Sequence, residues 1–135
     1  YNSQNILIYR YADLLLMLAE ISNELQNGEE MTYLNEVLSR AGVTARAEYG
    51  QGQASFRDAI MDEYKFELLG EGQDAHNNRR RGFQYFLENT IKPNNDKIGT
   101  AHYVANRDLI LSEDEGKVMF LPFPTDEINT NELID

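Results

Sequence analysis

Two stretches near the start of the chain carry the pattern of packed amphipathic helices. In YRYADLLLMLAEISNELQNG, residues 9–28, apolar side chains recur at steps of three and four and predict one buried face, made of Tyr11, Leu14, Leu15, Leu18, Ile21 and Leu25. MTYLNEVLSRAG, residues 31–42, repeats the pattern, and Gly42 can adopt the left-handed conformation that ends a helix. Because few residues separate the two helices, we expect an antiparallel hairpin over residues 9–42.

Further helices are predicted over about residues 55–92, after a loop rich in small residues. Ser55 and Asp58 resemble a capping box at the start of a third helix, which continues to about Leu69. Gly70 and Gly72 weaken the helix, so we expect a bend there.

A fourth helix is predicted beyond this bend, and Phe83, Phe86 and Leu87 form its apolar side. We expect Pro93 to end it, because proline cannot continue a helix from its interior. Residues 94–117 lose the pattern and are predicted to be irregular.

Residues 118–135 are predicted to form a short extended segment closed by Pro122 and Pro124. The expected fold is mainly α, a single domain over residues 1–135 with tetratricopeptide-like helical hairpins, irregular loops and this extended C-terminal segment.

The charge and composition exclude several classes of protein. The chain has 135 residues and a formal net charge of −11, so it lacks the basic surface that holds nucleic acid or anionic lipid. It has no cysteine, which excludes disulfides and thiolate chemistry. No apolar run approaches the ~20 residues of a transmembrane helix, and no signal peptide is visible. Because the chain does not begin with methionine, we expect it to be part of a longer protein.

The segment DEYKFELLGEGQDAHNNRRRG, residues 62–82, concentrates acidic and basic side chains. Glu63, Glu67 and Glu71 recur every four residues and would align on one helical face. Two interpretations are open: an ion network in which Arg79 or Arg80 pairs with these glutamates across two helices, or a catalytic pair such as Glu67 and Glu71 in an acidic glycosidase. We favour the ion network, because adjacent turns of one helix poorly separate two carboxylates across a sugar.

No other chemistry has a supporting motif. His76 and His102 have no acidic partner at metal-binding spacing, no serine lies in a nucleophile elbow, and no cofactor is predicted. Tyr49 and Tyr103 lie in predicted loops and are weak candidates for stacking on sugars, although we favour packing on a local core. Tyr11, Phe83 and Phe86 lie on periodic faces and are predicted to be core residues.

Four stretches, in this order, resemble the SusD/RagB family of outer-membrane nutrient-binding lipoproteins. They are YRYADLLLMLAEISNEL, LNEVLSRAG, AIMDEYKFELLGEG and FLPFPTDEINTN. The residues that match the family framework are Arg10, Tyr11, Asp13, Glu20, Arg40, Gly42, Glu67, Glu71, Gly72, Arg79, Pro122, Pro124 and Glu127, with Ile128 and Asn131 beside them.

The resemblance implies a helical, non-catalytic protein that captures glycans or other nutrients for a SusC-type TonB-dependent transporter. Such a protein is held at the outer membrane by an N-terminal lipid, and this chain would be only its C-terminal part. One departure lies at residues 75–77, Ala-His-Asn, where the family usually has an aromatic step. A helical scaffold that binds only a protein partner is the alternative function.

Overall fold

The computed structural model describes residues 9–100 and 110–120. These residues form helices and turns and contain no β-strand, which confirms the mainly α prediction. The chain divides into two compact units, residues 1–77 and 78–135. Whether its hairpins stack in the tetratricopeptide manner stays a prediction.

The first unit contains three main helices and a short 3-10 turn. Their bounds are α1 Tyr11–Leu25, α2 Glu30–Ala41, the 3-10 turn Ala47–Gly50 and α3 Gln53–Glu67. Four residues connect α1 to α2, and the two helices pack on each other as the predicted hairpin. Gly42 ends α2 with φ +71°, which confirms its role as the left-handed cap.

The core of this unit lies where α1, α2, α3 and the 3-10 turn meet. Its large, fully buried side chains include Leu16, Leu34, Val37, Phe56 and Ile60. They come from elements far apart in sequence, so burial of their apolar surface ties the hairpin to α3.

The predicted buried face of α1 is wrong for most of its members. Tyr11, predicted as core, is 67% exposed, and Leu14, Ile21 and Leu25 are exposed as well. The face that α1 buries consists of Ala12, Asp13, Leu15, Leu16, Ala19, Ser22 and Asn23. Because α1 has apolar side chains on both sides, the period alone could not select the side that packs.

The start of α3 also differs from the prediction. The helix begins at Gln53 after Gly52, and its N-terminus has no side-chain cap. Ser55 lies inside the helix, where its hydroxyl donates to the Glu48 carbonyl at 2.8 Å instead of capping. The predicted bend is confirmed: α3 ends at Glu67, and Gly70 and Gly72 follow with φ of +81° and +78°.

The helices beyond this turn are short. They are α4 Asp74–Arg80, α5 Phe83–Phe86, a π-helical turn Leu87–Ile91, α6 Lys92–Thr100 and α7 Glu115–Val118, and the boundary between the two units falls within α4. In the second unit Phe86 and Ile91 are buried, as is Asn78, whose amide donates to the Thr90 hydroxyl at 2.8 Å. Phe86 is therefore a core residue as predicted, whereas Phe83 is half-buried.

The prediction that Pro93 ends the helix is wrong. Pro93 is the second residue of α6, which continues to Thr100. Pro93 directly follows the π-helical turn Leu87–Ile91 inside a continuous helical stretch, and the changed hydrogen-bond register at such a turn lets the helix pass a residue without a backbone N–H. Residues 94–100 are therefore helical, not irregular as predicted.

Residues 110–114 are irregular, as predicted, whereas Glu115–Val118 form the helical turn α7, so the irregular and extended structure predicted for these four residues is wrong. The Asp114 carboxylate caps this turn by accepting from the Gly116 amide at 3.0 Å. Most of the predicted extended segment, including Pro122 and Pro124, lies outside the described residues.

Candidate functional site

The charged segment forms its ion network around the end of α3. The Glu67 side chain is 4% exposed, and its Oε1 accepts from the Arg10 guanidinium at 2.9 Å. Arg10 also donates to the Glu67 carbonyl at 2.8 Å and to Glu71 Oε2 at 2.9 Å. These hydrogen bonds, to Glu71 first and Glu67 second, raise the pKa of Arg10 above its ordinary value.

A second arginine completes the network from α2. Arg40 Nη2 donates to both carboxylate oxygens of Glu67. Glu67 thus joins the start of α1, the end of α2 and the end of α3 at one point. Cations on both sides compensate the burial of its charge.

Residues 10–13, Arg-Tyr-Ala-Asp, have two structural roles: Arg10 belongs to the ion network, and Asp13 caps the start of α1. The buried Asp13 carboxylate accepts from the Arg10 backbone amide at 2.7 Å and caps α1. The exposed Tyr11 hydroxyl donates to Glu36 of α2 at 3.4 Å. These four residues therefore hold α1 by its backbone and by the Arg10 side chain.

Within the first unit the partners of Glu67 and Glu71 are Arg10 and Arg40, which the sequence pattern did not indicate, and pairing of the glutamates with Arg79 or Arg80 stays a prediction. Arg79 donates to the Val118 carbonyl at 3.1 Å, and its guanidinium lies 4.7 Å from the centre of the Phe86 ring. Arg10 directly precedes α1 and Arg40 lies in the last turn of α2, and both side chains reach Glu67 at the end of α3.

Three further polar contacts join α1 to α3. The Asn23 amide donates to the Gln53 carbonyl and the Gln53 amide donates to the Asn23 carbonyl, each at 3.1 Å. The Tyr64 hydroxyl donates to Glu20 at 3.3 Å. Glu20, one of the framework residues, therefore lies at the same interface. Arg57 and Glu24 form a two-pronged pair at 2.5 and 2.6 Å.

This arrangement connects helices and lacks the geometry of an acid and a base facing each other across a cleft. Arg10 donates to both Glu67 and Glu71, and Arg40 donates to Glu67, so the carboxylate oxygens of both glutamates are engaged by guanidinium groups. His76 is exposed on α4, and His102 lies outside the described residues. Among the residues that the structure describes, no group of three or more potential ligands could hold a metal ion.

Tyr49, a weak sugar-stacking candidate, is 5% exposed in the structure. Its ring meets the Phe56 ring edge-on, with centroids 5.5 Å apart. Its hydroxyl donates to the buried Glu63 carboxylate at 2.9 Å, and Arg46 Nη2 lies 3.3 Å from the same hydroxyl. Burial raises the pKa of Tyr49 to about 12, while the hydrogen bond with Arg46 opposes this rise.

A groove lies beside this cluster, between the turn that joins α1 to α2 and the start of α3. Its volume is about 340 Å³, and Asn23, Glu30, Tyr49, Gln53 and Phe56 are among its lining residues. Glu30 Oε2 is buried there and accepts no hydrogen bond from the described residues. The groove thus combines amide side chains and a glutamate with the two packed rings of Tyr49 and Phe56.

Sequence reasoning did not identify three residues of these clusters. Arg46 contacts the Ala59 carbonyl at 2.9 Å, Tyr49 and Asp62, although it stands in a stretch predicted only as loop. The sequence also gave no indication that Glu30 and Gln53 line the groove. An arginine within a glycine-rich loop was the available signal, since such a charge often anchors a loop to a helix.

The last predicted site and motif residues come from the C-terminal third of the chain. Tyr103 and the C-terminal motif residues Pro122, Pro124, Glu127, Ile128 and Asn131 lie outside the described residues. A role for any of them in binding stays a prediction.

The chain belongs to the SusD family, whose model matches residues 1–135. It is similar to SusD-like protein P25 of Formosa agariphila, with 43% identity over 74 residues that cover 52% of this chain and 14% of that protein. It is also similar to SusD-like protein P2 of the same organism, with 30% identity over 120 residues that cover 82% of this chain and 23% of that protein.

The chain thus matches less than a quarter of the length of either relative. No solved structure is significantly similar to it. Within residues 9–100 and 110–120, no helix combines the length and the hydropathy needed to cross a membrane.

Proposed function

We propose that this chain is the C-terminal framework part of a non-catalytic, nutrient-binding protein at the surface of the outer membrane. The observation that carries the proposal is the family match over the whole chain, together with the meeting of framework residues Arg10, Arg40, Glu67 and Glu71 in one network. Four of the residues that resemble the family framework thus hold three helices together here.

The whole protein, in this proposal, captures oligosaccharides or other nutrients for a SusC-type TonB-dependent transporter. An N-terminal lipid would hold it at the membrane. Sugar recognition uses flat aromatic faces and directed hydrogen bonds. The chain has no tryptophan, and Tyr49 is buried. Most of the nutrient contact would therefore come from other parts of the protein.

The groove beside Tyr49 is where this chain would contribute to a ligand site. Its polar lining, which includes the amide side chains of Gln26 and Gln53, could form hydrogen bonds with sugar hydroxyls. Tyr49 would support the groove through its packed ring and would not stack on the sugar.

Calorimetry on the chain and on the longer protein, with the same oligosaccharide panel, tests the proposal. For the chain alone we expect binding in the millimolar range or none, equivalent to no more than about −4 kcal/mol, and measurably tighter binding for the longer protein. A longer protein that binds no nutrient but co-purifies with another protein would favour the scaffold alternative. Tight binding by the chain that Glu30→Gln abolishes would place the main site in this groove.

Catalysis has a separate test. The same panel, together with chromogenic glycosides, should remain intact after long incubation with either protein. Turnover that is lost in Glu67→Gln, while the variant stays folded by circular dichroism, would contradict the non-catalytic assignment.

A further inference from the structure

The turn between α1 and α2 contains the pair Asn27-Gly28, the one place in the sequence where glycine follows an asparagine. Both residues are exposed and lie outside the two helices. The Asn27 backbone amide donates to the Ser22 carbonyl at 3.3 Å, so the end of α1 fixes the position of the pair. Such a pair has a chemistry of its own, because attack by the glycine nitrogen on the asparagine side-chain carbonyl closes a five-membered ring.

Gly28 supplies the attacking nitrogen. Among the residues that the structure describes, none accepts a hydrogen bond from the Gly28 backbone N–H. Gly28 has φ +81°, and a Cβ built on it would meet nothing within 4 Å, so the backbone has open space in which to turn. Because glycine also has no side chain to shield the nitrogen, this nitrogen can approach Asn27 Cγ.

The next residue activates the carbonyl that is attacked. The Asn27 side-chain oxygen accepts from the Glu29 backbone N–H at 3.0 Å. Negative charge develops on this oxygen when a nitrogen attacks the carbonyl carbon, and a hydrogen-bond donor already aimed at the oxygen stabilises that charge. The turn therefore places an unbonded nitrogen directly after a polarised side-chain carbonyl.

We propose that Asn27 is a site of spontaneous deamidation, which the folded turn leaves reactive. The Gly28 nitrogen loses its proton to solvent base and bonds to Asn27 Cγ, the Cγ–Nδ2 bond breaks, and the side-chain nitrogen takes a proton from water and leaves as ammonia. Water then opens the resulting succinimide at either carbonyl, which gives aspartate or isoaspartate. Isoaspartate adds one carbon to the main chain between α1 and α2, and either product adds a carboxylate next to Gln26 and Gly28, which line the groove. This inference goes beyond nutrient binding and does not depend on it.

Peptide mapping by mass spectrometry tests the proposal, with Asn35 as the matched control, since it is also exposed but lies inside α2. In a helix the backbone N–H after an asparagine donates to a carbonyl four residues back, which keeps that nitrogen from the side chain. The folded chain is incubated at physiological temperature and neutral pH. The products are identified by the mass gained when an amide becomes an acid and by methylation with an isoaspartyl methyltransferase. We expect Asn27 to convert about tenfold faster than Asn35, or more.

The same measurement in guanidinium chloride separates the effect of the folded turn from the effect of sequence alone. Unfolding should accelerate Asn35, which loses its helix, and should change the rate at Asn27 by less than about threefold. The exposed-site variant Asn27→Gln, which would have to close a six-membered ring, should stay folded and lose the reaction. Equal rates at Asn27 and Asn35 in the folded chain would overturn the proposal, as would an acceleration of Asn27 on unfolding as large as that of Asn35. Isoaspartate that persists in Asn27→Gln would assign the reaction to another residue.

Discussion

Two glutamates one turn apart on α3 are held by different means. Glu63 is 7% exposed and accepts from the neutral Tyr49 hydroxyl at 2.9 Å. The Glu67 side chain is 4% exposed and accepts from the cations Arg10 and Arg40. The difference follows from the neighbouring elements: the 3-10 turn packs beside Glu63, whereas α1 and α2 bring their arginines to Glu67. Equal spacing on one helix therefore does not imply equal partners.

The largest effect should follow from Arg10→Ala. This change removes three hydrogen bonds to Glu67 and Glu71 and leaves the buried Glu67 with Arg40 alone. Because breaking a buried ion pair leaves a poorly compensated charge, we expect the free energy of unfolding to fall by about 3 kcal/mol, measured by urea denaturation. Arg57→Ala, at the more exposed pair with Glu24, is the control and should have a clearly smaller effect. Equal losses in both variants would mean that the network contributes no more than a surface pair.

The variant Tyr49→Phe tests how much the uncharged tyrosine partner of Glu63 contributes to stability. The variant keeps the ring packed on Phe56 but removes the donor to the buried Glu63 carboxylate. An unsatisfied buried acceptor should lower the free energy of unfolding by about 2 kcal/mol, again by urea denaturation. Tyr33→Phe removes a hydroxyl that donates to the exposed Glu29 at 3.2 Å and should change stability little. If Tyr49→Phe leaves the free energy of unfolding unchanged, Glu63 has found another hydrogen-bond donor.

The variant Arg40→Ala measures the contribution of Arg40 to stability apart from that of Arg10. The Arg40 side chain is 62% exposed, against 26% for Arg10, so water screens its interaction more effectively. We expect the free energy of unfolding to fall by about 1 kcal/mol. A loss as large as that of Arg10→Ala would indicate that the two arginines act as one unit, and the double variant would then lose less than the sum.

The pH dependence of stability reports on Tyr49, one of the eight tyrosines of the chain. Its pKa is raised from 10.0 to about 12, so the folded state keeps the phenol proton where the unfolded state loses it. The contribution of Tyr49 to stability should therefore be constant below about pH 10 and should fall as the pH rises from 10.0 to about 12. Denaturation across this range measures the effect, and Tyr49→Phe should remove this part of the slope. An unchanged slope in the variant would assign the pH dependence to other groups.

Local patterns predicted much of the framework. The α1–α2 hairpin, the Gly42 cap, the break at Gly70 and Gly72 and the burial of Phe86 follow from periodicity and from glycine stereochemistry, which act over a few residues. Where local patterns were ambiguous, the predictions were wrong. Pro93 lies in a helix because a π-helical turn precedes it, and no residue of that turn signals this geometry.

By itself, the sequence determined that the chain is helical, where its main turns fall, and which residues match the family framework. The tertiary structure alone decided which side of α1 is buried and which cations meet Glu67. Arg10 lies 57 residues from Glu67, so its role depends on how α1 packs against the end of α3. Helical periodicity carries no information about contacts over that distance, because a helical face is defined within a few turns and its partner by the packing of the whole unit.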